Sequence, residues 1–211
     1  MSNLATLLAL ADSRLPTGGH VHSGGVEEAV TSGLVADLPT LRAFLRRRIR
    51  THGLVAASVA AAVHTGTLSV ADADCETDAR TPGPAARTAS RAQGRGLARL
   101  ARRVWPEWDW DAVGLRPHLG VVAGVVGAAG GLLPEHTALS VVYTTMTGSA
   151  TAAQRLLALD PGDVAALTFE LAPLCDQTAA AAAKELADLS DPLLDVLAQR
   201  HAERDRPLFA S

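Results

Sequence analysis

Four scarcities in this chain each remove a class of function. Aromatic residues make up 3% of 211 positions, so the stacking platforms that grip single-stranded nucleic acid are missing. The two cysteines, Cys75 and Cys175, stand far apart without paired spacing, which excludes a disulfide framework or a thiolate zinc site and points to a reducing compartment. Lys184 is the sole lysine and the formal net charge is -3, so no global basic field draws in nucleic acid. Long apolar runs are also lacking. The uncharged stretch Leu119 to Leu133 would reach about 22 Å as a helix, short of the roughly 30 Å hydrocarbon core of a bilayer. Gly53 to Ala71 is longer but interrupted by His64 and Gly66. No membrane span is expected. The first residues carry no basic region before an apolar run, so export is not expected and the cytoplasm is the expected location.

What is present is alanine, leucine and valine. Apolar residues reach 48% with no run of alternating β-branched segments, and alanine and leucine are strong helix formers. The expected fold is all-α: a compact single-domain bundle of about eight to ten helices over residues 1–211, closely packed through small side chains. Asp37-Leu38-Pro39-Thr40 opens a helix that carries Arg42, Arg46 and Arg50 and continues past Gly53 to His64. Cys75 to Pro84 reads as a loop. Pro84 to Trp105 is an amphipathic helix with Arg87, Arg91, Arg95, Arg99, Arg102 and Arg103 on one broad face. Trp105-Pro106-Glu107-Trp108-Asp109-Trp110 ends it. Pro117 to Gly131 and Pro134 to Leu157 follow as apolar helices. Asp160-Pro161 and Asp191-Pro192 each start another, the last running from Leu193 to about Arg204.

The densest chemistry lies near the N-terminus. Residues 1–24 form a short helix and a Gly/His loop, Leu15-Pro16-Thr17-Gly18-Gly19-His20-Val21-His22-Ser23-Gly24-Gly25-Val26-Glu27-Glu28. Pro16 stiffens it, and the glycines permit turns and close approaches. His20 and His22 would share one side of an extended segment and, with Glu27, Glu28 or Cys75, could hold nickel or zinc. Alternatively they are polar residues packed in a glycine loop. The arginine face suits an acidic protein surface or plain solvation. Thr144 to Leu156 combines small residues with Gln154 and Arg155. It lacks a G-x-S-x-G elbow, and the chain has no P-loop, so neither a serine nucleophile nor nucleotide binding is expected. In the segment 205–211, Leu208 and Phe209 form a candidate anchor that orders on docking.

Four blocks in fixed order carry a resemblance across nearly the whole chain: Leu10-Ala11-Asp12-Ser13 through Pro16 and Gly19 to Glu27; Ser90-Arg91-Ala92-Gln93-Gly94-Arg95-Gly96-Leu97; Ala152-Ala153-Gln154-Arg155-Leu156; and Arg200-His201 through Arg206-Pro207-Leu208-Phe209-Ala210-Ser211. This order resembles urease accessory protein F, a maturation factor for nickel-dependent urease. The resemblance implies a cytoplasmic, non-enzymatic helical protein without a cofactor that tends to form a homodimer. It implies assembly with urease accessory protein D (H in some organisms) and the nickel-carrying GTPase, urease accessory protein G, acting on apo-urease. Pro16, Gly18, Gly19, Ser23, Gly25 and Glu27 match the family's first block, although His20 stands where an aromatic is commoner. Gln154 and Arg155 fall in the block implied to face the GTPase, with Arg91 and Arg95 as further donors. His201, Arg206, Leu208, Phe209 and Ser211 match the block implied to contact the D/H partner. Two alternatives differ in class. One is a nickel carrier or metal-dependent hydrolase using His20, His22 and Cys75. The other is an arginine-rich nucleic-acid regulator, which would bind DNA with steep salt dependence.

Overall fold

A computed structural model describes residues 3–17, 19–189 and 191–209, with only the backbone of His20. Among them are ten α-helices and no strand. They are α1 (Leu4–Leu10), α2 (Val26–Thr31), α3 (Leu38–Arg48), α4 (Leu54–Thr65), α5 (Val70–Arg80), α6 (Pro84–Val104), α7 (Leu119–Ala129), α8 (Pro134–Leu157), α9 (Pro161–Ala182) and α10 (Pro192–Ala202). A 3-10 turn occupies Gly19–Val21 and a π turn occupies Ile49–Gly53. The expectation of an all-α bundle of eight to ten helices holds.

Helix starts follow from their caps. The Asp37 side chain accepts from the Thr40 N–H, and the Thr40 hydroxyl is reached in turn by the Asp37 N–H. Asp160 accepts from the N–H groups of Gly162 and Asp163. Proline occupies the first turn of α3, α6, α8, α9 and α10, where its missing N–H leaves no intrahelical bond unmade. One segment departs from expectation: residues 75–80 are the second half of α5, not a loop. Ser69 caps that helix by accepting from Asp72 N–H. Its far end is tied down by Arg80, which donates to the Ala187 carbonyl at 2.7 Å and pairs with Asp188. Those anchors outweigh a composition poor in apolar residues.

The main core lies where α4 and α8 cross their neighbours. α4 packs on α7, α8 and α9, and α8 packs on α9. Leu41, Leu45, Ile49, Met146, Leu167, Leu171 and Leu197 are fully enclosed there, each large aliphatic side chain contributing about 1.5–3 kcal/mol relative to exposure. The close approach of α4 and α7 depends on Gly124, where a Cβ would stand 2.5 Å from the Ala60 carbonyl oxygen. A second core joins α6 to α7 through Leu97, Ala101, Val122 and Val126, closed by Trp110. The Trp110 indole N–H donates to the Trp105 carbonyl, which explains how the tryptophan turn holds.

Candidate functional site

The Ser23-Gly24-Gly25 loop is the hinge of the site. Gly24 and Gly25 have φ of 64° and 87°, left-handed values that favour glycine. They turn the chain from the 3-10 segment into α2 while Ser23 stays fully buried. The Ser149 hydroxyl of α8 donates to the Ser23 carbonyl at 3.1 Å, and Ser23 Oγ accepts from Glu27 N–H. The preceding segment lies on α6: a Cβ at Gly96 would meet the Thr17 carbonyl oxygen at 2.4 Å. Gly19 is less constrained, with only an ordinary contact to Thr17.

This turn aims Glu27 into the protein. Its carboxylate, 3% exposed, accepts from His201 Nε2 at 2.7 Å, from Leu208 N–H at 2.8 Å and from Phe209 N–H at 3.0 Å. Burial pushes the Glu27 carboxyl up, but the Leu208 N–H, the imidazole and the Phe209 N–H outweigh it, so the group titrates below its ordinary value. Next to it, Arg204 pairs with Glu28 at 2.9 Å. One carboxylate on α2 thereby gathers α10 and the segment after it.

The clamp holds Phe209 buried and leaves Leu208 80% exposed. Val21, Arg155, Leu156, Leu208 and Phe209 line one shallow groove. Arg155 is exposed on the last turn of α8 and makes no ion pair among the described residues. Gln154 beside it is half-buried and Arg206 is exposed. Blocks separated by more than fifty residues in sequence thus converge on one surface.

Five residues expected to face a partner, Ser23, Gly25, Glu27, His201 and Phe209, are buried instead, because the clamp and its glycine turn hold them beneath the surface. The N–H groups of Leu208 and Phe209, in the segment expected to dock, have an acceptor within the chain in Glu27. Gly18 and Ser211 lie outside the described residues, as does the His20 side chain.

The arginine face of α6 is divided. Arg91 turns inward, pairing with Asp74 and Asp78 at 2.8 Å each and donating to the Arg116 carbonyl. It therefore belongs to the interior frame, a correction to its expected place on an open face. Arg95 and Arg99 remain exposed. Asp74, Asp78 and His118 come close enough to suggest a metal site, but Arg91 supplies their countercharge. His118 bonds Asp78 through Nε2 and Ser90 through Nδ1. Cys75 is exposed on α5; Cys175 is buried, and burial pushes its thiol up to about 11, far from thiolate reactivity.

The Glu27 clamp escaped sequence reasoning because its partners lie 174 to 182 positions away. Helical spacing of Glu27 and Glu28 gave no hint that the first would receive His201, Leu208 and Phe209 and the second Arg204.

The family model described as UreF matches residues 35–172. Urease accessory protein UreF of Mycolicibacterium vanbaalenii is 80% identical over 214 aligned residues, and that of Mycobacterium sp. strain JLS is 81% identical over 211. The Mycobacterium marinum protein of the same name is 74% identical, and in all three pairs the alignment covers 100% of both chains. With matches of this depth and coverage, the chain belongs to the urease accessory protein UreF family.

Proposed function

We propose that this chain is a non-catalytic scaffold in urease maturation, joining the D/H accessory protein to the nickel-carrying GTPase so that nickel reaches apo-urease. Family membership supports the role in urease maturation. The observation that carries the finer reading is the groove: Arg155, Val21 and Leu208 share one exposed surface, supported from below by the Glu27 clamp. The two blocks implied to serve different partners are neighbours here, so a bridge between them needs no long lever. Arg155, with no acceptor among the described residues, is free to make a charge-assisted contact to an acidic group. Arg95 and Arg206 offer further donors at exposed positions.

Such a protein alters another's nucleotide cycle or metal release by binding one of its states more tightly. No chemistry of its own is required. In this reading the protein works in the cytoplasm as a homodimer; no helix among the described residues is long and apolar enough to cross a membrane.

The test is capture of the GTPase and of the D/H protein by purified variants. Arg155→Ala should weaken GTPase capture with an unchanged thermal midpoint, and deletion of residues 206–211 should abolish capture of the D/H partner. Retention of both partners by these variants would reject the scaffold assignment. A second reading, nickel carriage through His20 and His22, predicts stoichiometric nickel uptake by the lone chain that disappears in the double alanine variant.

A further inference from the structure

Arg47 and Arg48 are adjacent in sequence but meet opposite fates. The π turn at Ile49–Gly53 directly follows them, and such a bulge shifts the register of side chains along a helix. Arg47 reaches Asp191 in a forked pair, Nε to Oδ2 at 2.7 Å and Nη2 to Oδ1 at 2.6 Å. Asp191 also accepts from the Thr51 hydroxyl and from Leu193 N–H. Its oxygens are thereby occupied.

Arg48 enters a cleft among α4, α5, α6 and α10. Its guanidinium makes no hydrogen bond or ion pair among the described residues, and its Nε is fully enclosed without an acceptor. It packs so tightly on the glycine loop that a Cβ at Gly24 would fall 2.4 Å from Nη2. Burial lowers the group only to about 10, so it stays charged near neutral pH. A half-buried cation whose countercharge, Asp191, acts only through space and is already committed to Arg47 and Thr51 is an arrangement that a bound anion relieves.

The rest of the cleft narrows the ligand. Its volume is about 120 Å³, and Val55, Val59, Leu119 and Leu194 make its walls largely apolar. Beside Arg48, burial and then the Arg48 charge push His52 down to about 3, leaving a neutral ring with one N–H to donate. Asp191 and Asp195 also line the cleft, and their carboxylates oppose a dianion more strongly than a monoanion. One planar guanidinium, a neutral donor and an apolar body suit a singly charged, planar head on a short hydrocarbon.

We propose that this cleft binds a small monocarboxylate, its head received by the Arg48 fork and its apolar body lodged among Val55, Val59 and Leu194. The site is separate from the groove at Arg155 and does not depend on the scaffold role. Sodium butyrate is the probe. Titrated into the full chain, it should move the Arg48 Nε–H resonance saturably and raise the thermal midpoint. Arg48→Met, which keeps length and removes the charge, should weaken butyrate binding by about tenfold to hundredfold, the usual effect of losing a charge-assisted pair. Inorganic phosphate should compete poorly. An Arg48 signal that never responds to butyrate, or responds equally to phosphate and chloride, overturns the proposal. So does unaltered butyrate binding by Arg48→Met; if that variant does not fold, the wild-type resonance decides alone.

Discussion

At the scale of single residues, the protein concentrates its risk in a few buried ionisable groups. Glu27 serves three donors at once, so Glu27→Ala would leave the His201 imidazole and two backbone N–H groups without an acceptor. Removing one partner from such a buried cluster costs about 3–5 kcal/mol, a loss that urea unfolding will register. The pH dependence has a definite sign. His52, held at about 3 against an ordinary 6.5, takes up a proton more readily when unfolded. Its contribution is intact above pH 6.5 and declines as pH falls from there toward 3. His64 and His118 are depressed mainly by burial in the same direction, so His52→Gln should reduce the drop between pH 6.5 and 5 without abolishing it. Glu27 acts at lower pH: its contribution is present above its unfolded value of 4.5 and disappears as pH falls through its lower folded value. Urea midpoints measured from pH 8 to pH 3 should therefore fall in two stages, and Glu27→Gln should flatten the second.

At the scale of helices, small residues decide how closely axes approach. Gly124→Val should lower stability by about 1–3 kcal/mol, typical of overpacking, because the Ala60 backbone stands in the way. Gly148 on α8 provides the contrast. A Cβ there meets nothing within 4 Å, so Gly148→Ala should raise stability by about 0.5–1 kcal/mol through helix propensity alone; thermal melts of the two variants should move in opposite directions. Helix boundaries set by local chemistry were readable in advance. Pro134 to Leu157 matches α8 at both ends, and the Asp-Pro starts of α9 and α10 were visible as cap and first turn. α5 was not, because its stability comes from Arg80 reaching residues 187 and 188. The arginine stripe was equally misleading: helical spacing put Arg91 and Arg95 near one another, but only tertiary packing brought Asp74 and Asp78 to Arg91. The residue types of the groove were legible; their meeting was not, since no local pattern joins Val21, Arg155 and Leu208.

At the scale of the whole molecule, the groove predicts coupling between partners. If the scaffold reading holds, Arg155→Ala and Leu208→Ala should each weaken assembly of the ternary complex. Their combined effect should depart from the sum by about 0.5–3 kcal/mol, as neighbouring sites do. A double-mutant cycle on complex formation checks this, and strict additivity would place the two residues at independent surfaces. The variants should leave the melting temperature unchanged, because Leu208 is exposed and Arg155 has no partner among the described residues.

The bond from Glu27 to the Phe209 amide spans 182 positions. During translation, α2 must wait with an unanswered carboxylate until nearly everything after it has been made. A ribosome-bound or prematurely stopped product lacking residues 201–209 could build much of the helical core, but it would present Arg155 without Leu208 opposite. The groove at Arg155 is therefore assembled only after residues 201–209 have been made.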